Sequence, residues 1–421
     1  MIGDFFNKTV DWLRFQYNRL TVPQCHAGRI ALIAREHRPA RVAFMAMSVP
    51  MWRYERLLEA LLEDGRFQCV VVLSPSISYD RSSRERDLIA MREYFDARGI
   101  GYIDYDEAST CDIKHDFDPD IVFFPQPYEH LLTPLHDCTN FYDRLVCYYP
   151  YGFWTSTGKW SYDFHFHNLA WRLYYSTSAH LDEARVTARN HGTNVRVVGY
   201  PNADDFLQTT RDDPWHSPSG MRKRLIWAPH YAITDKFGLS ARSNFVFMSS
   251  LMLQLAREHV RDLHIAFKPH PRLLTELYAH PDWGRERADE YYRQWTEGEN
   301  TQLETGEYVD LFMTSDAMIH DSGSFAVEYL YSGCPVMFVC QDMNSLLQSQ
   351  SALGREAYGV CYLGKSVDDI KSFVVDTVLR GDDPMKEKRK AFFDKYLLSP
   401  NGKTVVQNTV DDLVSSLGLS S

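Results

Sequence analysis

The sequence predicts an α/β protein of two domains, each built on a doubly wound parallel sheet. Short apolar runs alternate with amphipathic helical segments along most of the 421 residues, and strands buried on both faces of a parallel sheet have this unbroken apolar character. The alternation occurs twice, on either side of a polar stretch at 207–223. A chain of this length has room for two or three domains, each with its own core.

The first half begins with a helix over residues 1–35. Its apolar side chains share one face, and they are Phe6, Val10, Leu13, Tyr17 and Leu20. Such a helix either packs on the first domain or contacts a membrane surface or a partner helix. The strands predicted after it are 42–47, 69–73, 102–104, 120–124, 144–149 and 195–198, with helices at 51–63 and 84–98.

The second half repeats the alternation. Its predicted strands are 224–228, 264–267, 316–320, 336–340 and 358–362, and its helices are 244–258, 286–296, 325–331, 366–380 and 405–417. Two such halves joined by a linker predict the GT-B architecture, in which two Rossmann-like domains face each other across a cleft. We expect an N-terminal domain at 1–206, a C-terminal domain at 207–402 and a final helix at 403–421 that crosses back to the first domain.

Composition and charge exclude several classes of protein. The net charge of −11 argues against general nucleic-acid binding, which needs a basic face, and against a polybasic membrane anchor. The eight cysteines are scattered without a C-x-x-C pair, as in a protein of a reducing compartment. The chain has no apolar run of membrane-spanning length and no signal-peptide core. These features predict a cytoplasmic protein, with peripheral contact at the inner face of a membrane left open.

The stretch 316–340 (DAMIHDSGSFAVEYLYSGCPVMFVC) predicts a strand, a turn, a helix and a second strand. The turn is Asp321, Ser322, Gly323 and Ser324. A helix that begins there points backbone N–H groups into the loop, and such an end binds phosphate unless it is an ordinary N-cap. Glu328 follows one turn later, where it could accept the hydroxyls of a ribose.

Two further strand ends carry basic side chains. His230 follows one strand, and Lys268, His270 and Arg272 follow the next. Because the carboxyl ends of parallel strands open on one edge of a sheet, these groups are expected near the 321–324 turn. Lysine and arginine bind phosphate oxygens, so the combination predicts an anion site. We interpret His264 and His320, which lie inside strands, as structural.

Four segments resemble the CDP-glycerol glycerophosphotransferase family, the teichoic-acid primases and polymerases. Residues 225–231 (LIWAPHY) resemble its YAPT strand, and 199–204 (GYPNAD) resemble its G-x-P-R-x-D segment. Residues 268–271 (KPHP) are similar to its basic strand end, and 316–338 are similar to its D-x-x-I-x-D-x-S-S segment and the P-V-x-F strand after it. The order and spacing agree from about 174 to 340.

The resemblance implies a GT-B transferase of bacterial cell-surface polysaccharide assembly. The second domain would bind a nucleotide-diphosphate donor, with His270 and the 321–324 turn on its pyrophosphate and His230 near its base. The first domain would hold a glycan or glycolipid acceptor, whose hydroxyl attacks the donor so that CMP leaves. The expected catalytic and donor-binding residues are therefore His270, His230, Lys268, Arg272, Asp321, Ser322, Gly323, Ser324 and Glu328.

The chain departs from the family at the general base. The family carries His-Gly-Thr at a strand end of its first domain, where this chain has residues 149–153 (YPYGF). Its own His-Gly-Thr, at 191–193, precedes a predicted strand, and we interpret the match as coincidence. His165 and His167 would share one face of a strand and could supply the base, as could Asp163. The other interpretation of the histidine pair is a half-exposed strand face.

A metal cofactor is not expected. Residues 104–106 and 116–118 match the loose D-x-D pattern of cation-dependent transferases, but such triplets arise by chance in an acidic chain. Basic side chains and a helix N-terminus can stabilise a leaving diphosphate instead. Three function classes stay open: glycerophosphate transfer from CDP-glycerol, sugar transfer from a nucleotide sugar, and a non-catalytic relative. A sugar-nucleotide epimerase shares the architecture.

Overall fold

The computed structural model describes residues 2–104, 111–218, 220–234 and 243–419, with side chains from residue 12 onward. The chain forms two compact units. Unit 1 comprises Met1–Asp204 and Ser399–Ser421, and unit 2 comprises Asp205–Leu398. Two residues of the 104–106 triplet, Tyr105 and Asp106, lie outside the described residues.

Unit 1 is built on seven parallel strands in the order β3-β2-β1-β4-β5-β6-β7. The strands are β1 (Ala40–Ala46), β2 (Phe67–Leu73), β3 (Tyr102–Ile103), β4 (Ile121–Phe124), β5 (Leu145–Tyr148), β6 (Arg172–Tyr175) and β7 (Val195–Val197). The helices are α1 (Ile2–Glu36), α2 (Glu55–Glu63), α3 (Arg81–Ala97), α4 (Ile113–Asp116), α5 (Lys159–Tyr162), α6 (His165–Leu169), α7 (Ser178–Thr187) and α8 (Ala203–Phe206), with 3-10 turns at Val49–Met51 and Cys138–Asn140.

The two faces of β1 show why this sheet is covered on both sides. Ala43 and Met45 pack in one cluster with Phe15 of α1. Phe44 lies on the other face, where its ring stacks on Phe123 of β4 at 4.9 Å. Alternate side chains of a strand point to opposite faces, so an apolar strand needs helices on both.

Unit 2 repeats the arrangement with six parallel strands in the order β10-β9-β8-β11-β12-β13. The strands are β8 (Lys223–Ala228), β9 (Leu263–Phe267), β10 (Thr301–Leu303), β11 (Ala317–His320), β12 (Val336–Val339) and β13 (Tyr362–Gly364). The helices are α9 (Phe245–Glu258), α10 (Leu273–Ala279), α11 (Gly284–Glu297), α12 (Val309–Met313), α13 (Phe325–Glu328), α14 (Met343–Gln348), α15 (Ala352–Gly359), α16 (Val367–Ser372) and α17 (Lys386–Tyr396), with a 3-10 turn at Tyr329–Ser332 and a π-helical segment at Phe373–Leu379. A further 3-10 turn at Pro400–Gly402 belongs to unit 1.

Aromatic side chains form the core of unit 2. Trp227 of β8 stacks on Phe245 of α9 at 5.7 Å and on Phe267 of β9 at 4.9 Å. Trp295 of α11 completes the layer at 5.6 Å from Trp227. Large rings of this kind bury much apolar surface per residue, which fixes the strands whose carboxyl ends carry the polar groups described below.

The chain returns to unit 1 through α18 (Val405–Leu417). The carboxylate of Asp204 accepts hydrogen bonds from the backbone N–H groups of Val405 and Val406, at 3.0 and 3.1 Å, and so caps this helix. Gly199 has φ of +107°, and a Cβ there would lie 2.5 Å from the Ser399 hydroxyl. The 199–204 segment therefore holds the returning chain, which accounts for its glycine and its aspartate.

Several predicted elements differ from the structure. His165 and His167 lie on helix α6 and not on a strand, because Phe166, His167 and Leu169 all turn towards the core. The predicted strand at 358–362 was placed too early, since α15 continues to Gly359. The short strands β6 and β10 were missed. No helix of the described residues is long and apolar enough to cross a membrane.

Candidate active site

The carboxyl ends of β8 and β11 form the topological switch point of unit 2. The two strands pair in parallel, with Ala228 beside His320, and the strand order reverses between them. In doubly wound sheets ligands bind in the crevice at this position. The next residues along the two strands lead directly into the predicted site, through Pro229 after β8 and Asp321 after β11.

Asp321 joins the two sides of this switch point. Its carboxylate accepts hydrogen bonds from the backbone N–H of His230 at 2.6 Å and from that of Asn244 at 2.5 Å. Burial raises the pKa of Asp321 to about 6, against the lowering effect of these bonds. The carboxylate thus positions the loop after β8, and its predicted contact with a donor stays a prediction.

His230 and His270 lie together at the edge of the sheet. Their ring centroids are 5.4 Å apart. The ring of Tyr231 lies 4.3 Å from the His230 ring and 4.4 Å from the His270 ring, and Arg272 lies over Tyr231 at 4.5 Å. The structure therefore brings together three residues predicted from two different strand ends, with a tyrosine between them.

Backbone hydrogen bonds fix the proton position on both imidazoles. The N–H of Ala232 donates to Nδ1 of His230, and the N–H of Arg272 donates to Nδ1 of His270, each at 3.1 Å. Because Nδ1 accepts, the neutral ring carries its proton on Nε2. Burial lowers the pKa of His270 to about 4, with smaller contributions from His230 and Arg272. At neutral pH His270 is therefore an Nε2–H donor and not a base.

Lys268 is buried at the end of β9. Its ammonium donates to the carbonyl of Gly306 at 2.7 Å and lies 5.9 Å from the ring centre of Tyr308. Burial lowers its pKa to about 8, which the carboxylate of Glu304 partly opposes. A desolvated ammonium attracts an anion more strongly than a solvated one, so this group fits a phosphate partner.

The serine turn after β11 is less prominent than predicted. Ser322 is buried and shares a hydrogen bond with Ser324 at 3.2 Å between their hydroxyl oxygens. Helix α13 begins at Phe325 and has only four residues before a 3-10 turn, so its dipole is small. A Cβ on Gly323 would meet nothing closer than the Tyr358 hydroxyl at 3.8 Å. The phosphate role of this turn stays a prediction.

The remaining predicted residues of unit 2 are buried. Glu328 lies in the core of the unit at 1% exposure, away from the surface that a ribose contact needs, and its role stays a prediction. His264 and His320 are also buried. Nδ1 of His320 donates to the carbonyl of Ser322 at 3.0 Å, and burial lowers the pKa of His320 to about 3.

In unit 1 a tyrosine is buried beside the corresponding switch point between β1 and β4, where the ring of Tyr54 contacts Phe44 and Phe123. The hydroxyl of Tyr54 donates to the carbonyl of Phe124 at 2.5 Å and accepts from the N–H of Tyr149 at 3.2 Å. Tyr54 has no exposed surface, and burial raises its pKa well above the ordinary value. This buried hydroxyl therefore bridges the carboxyl end of β4 and the residue after β5.

His165 has a carboxylate partner in unit 1. Its Nδ1 lies 3.5 Å from Glu129, which follows β4 and accepts the hydroxyl of Tyr142 at 2.5 Å. Burial alone would raise the pKa of Glu129, but its bonds to His165 and Tyr142 outweigh burial and lower it. The ring stacks on Phe15 at 4.5 Å, and the side chain is 34% exposed. A Nδ1–H directed at Glu129 leaves Nε2 as the basic atom.

The other candidate bases of unit 1 are engaged in structure. His167 is buried, accepts the N–H of Phe164 at Nδ1, and has its pKa lowered to about 3 by burial. Asp163 accepts from Asn168 and from Arg189. Burial raises its pKa, but these bonds prevail and the net shift is downward. Their catalytic roles stay predictions, as does that of His165.

His191 lies at the amino end of β7, whereas the candidate residues described above lie near the carboxyl ends of the strands. It precedes β7 with φ of +55° and is exposed, which places the His-Gly-Thr segment at the amino end of a strand. The family-like position, residues 149–153, follows β5 and contains aromatic side chains. His180 holds this loop, because its Nε2 donates to the Trp154 carbonyl at 2.8 Å while its Nδ1 accepts from Thr177 at 2.9 Å.

Sequence reasoning missed the residues that orient the histidines. Glu129 lies five residues after the carboxyl end of β4. Because ligands bind at the carboxyl ends of parallel strands, a rule that we call the strand-end rule, the sequence could have indicated this residue. Tyr231 was visible beside His230, but nothing in the sequence shows that its ring contacts two imidazoles.

Among the residues that the structure describes, no group of three or more His, Cys, Asp or Glu side chains could hold a metal ion.

Comparisons with solved structures show the fold. The wall teichoic acid polymerase TagF aligns over 98% of this chain and 98% of its own, at a TM-score of 0.60 and 12% identity. The UDP-GlcNAc 2-epimerase of Neisseria meningitidis aligns over 89% of this chain and 100% of its own (TM-score 0.53, 14% identity). The MnaA protein of S. aureus aligns over 90% and 98% (TM-score 0.57, 12% identity). These likenesses confirm the predicted GT-B class with its two Rossmann-like units.

A family profile identifies the chain more closely than the structures do. No curated protein matches it. The profile of CDP-glycerol:poly(glycerophosphate) glycerophosphotransferases matches residues 156–411, more than half of the chain, and this confirms both the resemblance and the predicted transferase class. The match begins just after the 149–153 loop that lacks the family histidine. The chain belongs to the CDP-glycerol:poly(glycerophosphate) glycerophosphotransferase family.

Proposed function

We propose that this protein transfers glycerophosphate from CDP-glycerol to a hydroxyl group of a glycan or glycolipid acceptor, in the assembly of a cell-surface polymer. Family membership supports the donor. The observation that carries the proposal is the pair of imidazoles at the switch point of unit 2, each held by a backbone N–H at Nδ1. Two Nε2–H donors beside Arg272 suit a diphosphate.

The donor diphosphate contacts His230, His270 and Arg272, and its negative charge is further balanced by Lys268. In the reaction the acceptor oxygen attacks the phosphorus that carries glycerol. The bond from this phosphorus to the bridging oxygen breaks, and CMP leaves with the electron pair. A hydrogen bond from Nε2–H of His270 to the departing phosphate stabilises this charge as it develops.

The proton of the acceptor hydroxyl goes to Nε2 of His165. Glu129 orients the ring and stabilises the imidazolium that forms, as the carboxylate does in other histidine–carboxylate pairs. The opposite hydrogen-bond polarity of the two histidines supports this division of roles. Nδ1 of His165 faces a carboxylate, whereas Nδ1 of His270 faces a backbone N–H.

Basic side chains take the place of a metal cation in this proposal, so turnover is expected to survive a chelator.

The reaction takes place in the cytoplasm, at the inner face of the membrane. All eight cysteines are free, and three of them are buried, which agrees with a reducing compartment.

Donor binding and turnover test the proposal together. We expect CDP-glycerol and CMP to raise the melting temperature of the full chain, since a ligand at about 100 times its Kd adds roughly 2.7 kcal/mol. UDP-GlcNAc is the comparison ligand. With a poly(glycerophosphate) oligomer as acceptor, we expect CMP release with EDTA present.

Two results would contradict the proposal. Stabilisation by UDP-GlcNAc without stabilisation by cytidine ligands would replace CDP-glycerol by a sugar nucleotide. Cytidine binding without CMP release, over a panel of hydroxyl acceptors, would leave a binding protein that no longer catalyses transfer.

A further inference from the structure

Tyr231 contacts three of the groups that the proposed function places on the donor diphosphate. Its ring centre lies 4.3 Å from that of His230 and 4.4 Å from that of His270, and the two imidazole centres are 5.4 Å apart. The guanidinium carbon of Arg272 lies over the same ring at 4.5 Å. One aromatic side chain therefore packs against both imidazoles and against the arginine of the site.

The hydrogen bonds at Nδ1 leave each imidazole some freedom of rotation. His230 accepts from the N–H of Ala232 and His270 accepts from that of Arg272, in each case two residues further along the chain. Such a bond fixes one atom of the ring, and the ring can still tilt about it. Contact with a second ring restricts this tilt, so the direction of each Nε2–H depends on Tyr231.

Arg272 depends on the same ring for its direction. Its side chain is 55% exposed, and its ion pair with Glu276 is long, at 3.5 Å. An exposed ion pair of this kind is weak, whereas a guanidinium stacks readily on the face of an aromatic ring. Stacking on Tyr231 keeps the guanidinium beside the imidazoles before a donor binds, which lowers the entropy that binding must remove.

Tyr231 is itself anchored. Its side chain is partly buried and packs against the hydrophobic core of unit 2. The backbone N–H of His230, next to it in the chain, donates to Asp321 at 2.6 Å. The N–H of His270 donates to the carbonyl of Pro229 at 3.1 Å and so joins the second strand end to the first. The ring thus has the fixed position that a support for other side chains needs.

From these contacts we infer that Tyr231 is a positioning residue of the donor site, whose ring holds His230, His270 and Arg272 in the arrangement that receives a diphosphate. The ring carries this role and not the hydroxyl, because the contacts above are contacts of the ring. The inference rests on the proposed function, which places the diphosphate on these three groups. Tyr231 acts through the three groups, without a contact of its own to the donor.

The experiment measures CDP-glycerol affinity, KM and kcat in two replacements of Tyr231. Tyr231→Leu removes the ring. Donor affinity and kcat should each fall about tenfold, since His230 and Arg272 bind the donor in the ground state and His270 acts in the transition state. Tyr231→Phe keeps the ring and should recover most of both losses. Calorimetric titration with CDP-glycerol gives the affinity, and CMP release with a poly(glycerophosphate) acceptor gives KM and kcat.

A double-mutant cycle separates positioning from a general loss of structure. If Tyr231 acts through His270, removal of the ring costs less once the imidazole is gone. In the His270→Ala background, Tyr231→Leu should therefore lower kcat by less than about threefold, against about tenfold in the wild-type background. An equal factor in both backgrounds would overturn the inference.

A spectroscopic measurement tests the contact without donor or turnover. In protein with isotope-labelled histidine, the Hε1 signals of His230 and His270 should be shifted by the ring current of Tyr231 in the wild type and in Tyr231→Phe, and should lose this shift in Tyr231→Leu. Signals that do not respond would overturn the inference even where turnover is normal. Responding signals in a protein that neither binds CDP-glycerol nor releases CMP would overturn the proposed function and support the positioning of the imidazoles.

Tyr278 is the matched control. It also packs, partly buried, against the core of unit 2, and the guanidinium carbon of Arg285 lies over its ring at 4.2 Å. It lies on α10 and not at a strand end. Tyr278→Leu should keep the affinity, KM and kcat of the wild type. Melting temperatures check that each variant folds, and Tyr231→Met, which keeps the apolar bulk without a ring, replaces Tyr231→Leu if that variant does not fold.

Three kinetic results would also overturn the inference. Wild-type affinity and kcat in a folded Tyr231→Leu would show that the imidazoles hold their positions without the ring. An equal loss in Tyr231→Phe would transfer the role to the hydroxyl. An equal loss in Tyr278→Leu would show that any change at the edge of this core disturbs the site.

Discussion

The two units share one strand order around the switch point but use that position differently. In unit 1 the buried side chain of Tyr54 lies beside it and hydrogen-bonds to the ends of β4 and β5. In unit 2 the same position holds His230, with its backbone tied to Asp321 and its ring beside His270. One topology therefore supports a packed core in one unit and a polar site in the other.

The comparison extends to the histidines of the two units. His165 in unit 1 pairs through Nδ1 with a carboxylate, and His270 in unit 2 pairs through Nδ1 with a backbone N–H. The partner at Nδ1 decides whether Nε2 accepts or donates a proton. The two rings therefore differ in which nitrogen carries the proton, and the residue type alone does not reveal this difference.

The largest effect is expected in unit 1. His165→Ala should lower kcat about a thousandfold, within the range for loss of a general base, with the melting temperature little changed because the side chain is partly exposed. The measurement is CMP release from CDP-glycerol with a poly(glycerophosphate) acceptor. Glu129→Gln should lower kcat less than His165→Ala does. It should also shift the acidic limb of the pH–rate profile, because the imidazolium of His165 loses its carboxylate partner.

His191→Ala is the control for that prediction, because His191 belongs to unit 1 but lies at the amino edge of the sheet. The His191→Ala variant should have the kcat of the wild type. If His191→Ala lost as much activity as His165→Ala, the His-Gly-Thr segment would be the functional one and our placement of the base would be wrong.

In unit 2, His270→Ala should lower kcat about a hundredfold, as loss of one transition-state donor does. His280 is the matched control, because its Nδ1 also accepts a backbone N–H two residues on, that of Asp282, at 3.2 Å. It lies after α10 and not at a strand end. Unchanged turnover in His270→Ala would remove the role assigned here.

Lys268→Met should weaken donor binding about tenfold, or 1.4 kcal/mol, with a smaller effect on kcat. Methionine keeps the apolar length of the side chain and removes the charge. Titration of CDP-glycerol by calorimetry measures this effect. Arg66→Met controls for removal of a cation, since Arg66 pairs with Asp64 in unit 1. Equal donor affinity in the wild type and in Lys268→Met would show that the ammonium only holds the loop that contains Gly306.

The last prediction concerns acid stability, which both units should share. Burial lowers the pKa of His26 and His180 to about 4 in unit 1 and that of His264 to about 4 in unit 2. Between pH 6.5, the ordinary pKa of histidine, and pH 4, the unfolded chain binds more protons than the folded chain. The free energy of unfolding therefore falls as the pH falls through this window. Calorimetry should show the melting temperature falling by roughly 10 °C from pH 7 to pH 5.

Asp321 opposes this trend, because its raised pKa of about 6 makes the folded state bind a proton first. Asp321→Asn should therefore steepen the acid loss of stability slightly. A melting temperature that does not change between pH 7 and pH 5 would contradict the assignment of neutral buried histidines.

Most of the fold was predictable from the sequence, because apolar strands such as β1 and β12 stand out by composition alone. The short strands β6 and β10 did not, since three or four residues carry little periodicity. In unit 2 the strand-end rule brought His230 and His270 together correctly. Glu328 was chosen from its position on the helix after β11, and it is buried at 1% exposure. A helical position alone does not show which side is covered, and the ribose contact of Glu328 stays a prediction.

The site of unit 1 was harder to predict for a different reason. His165-Phe166-His167 alternates like a strand, and only the contacts of Phe166 and His167 with the core show that it is a helix. The carboxylate that orients His165 comes from a segment 36 residues earlier, so no local pattern contains it.

The chain enters unit 2 after Asp204 and leaves it before Ser399, and the residues at these two positions meet in unit 1, where Asp204 caps α18 and Gly199 approaches Ser399. Unit 2 is thus an insertion whose two ends start from one place. An inserted domain with neighbouring ends can be exchanged as a continuous segment without redesign of its host. In such an arrangement a single recombination event can replace the whole of unit 2 and leave the sheet of unit 1 intact.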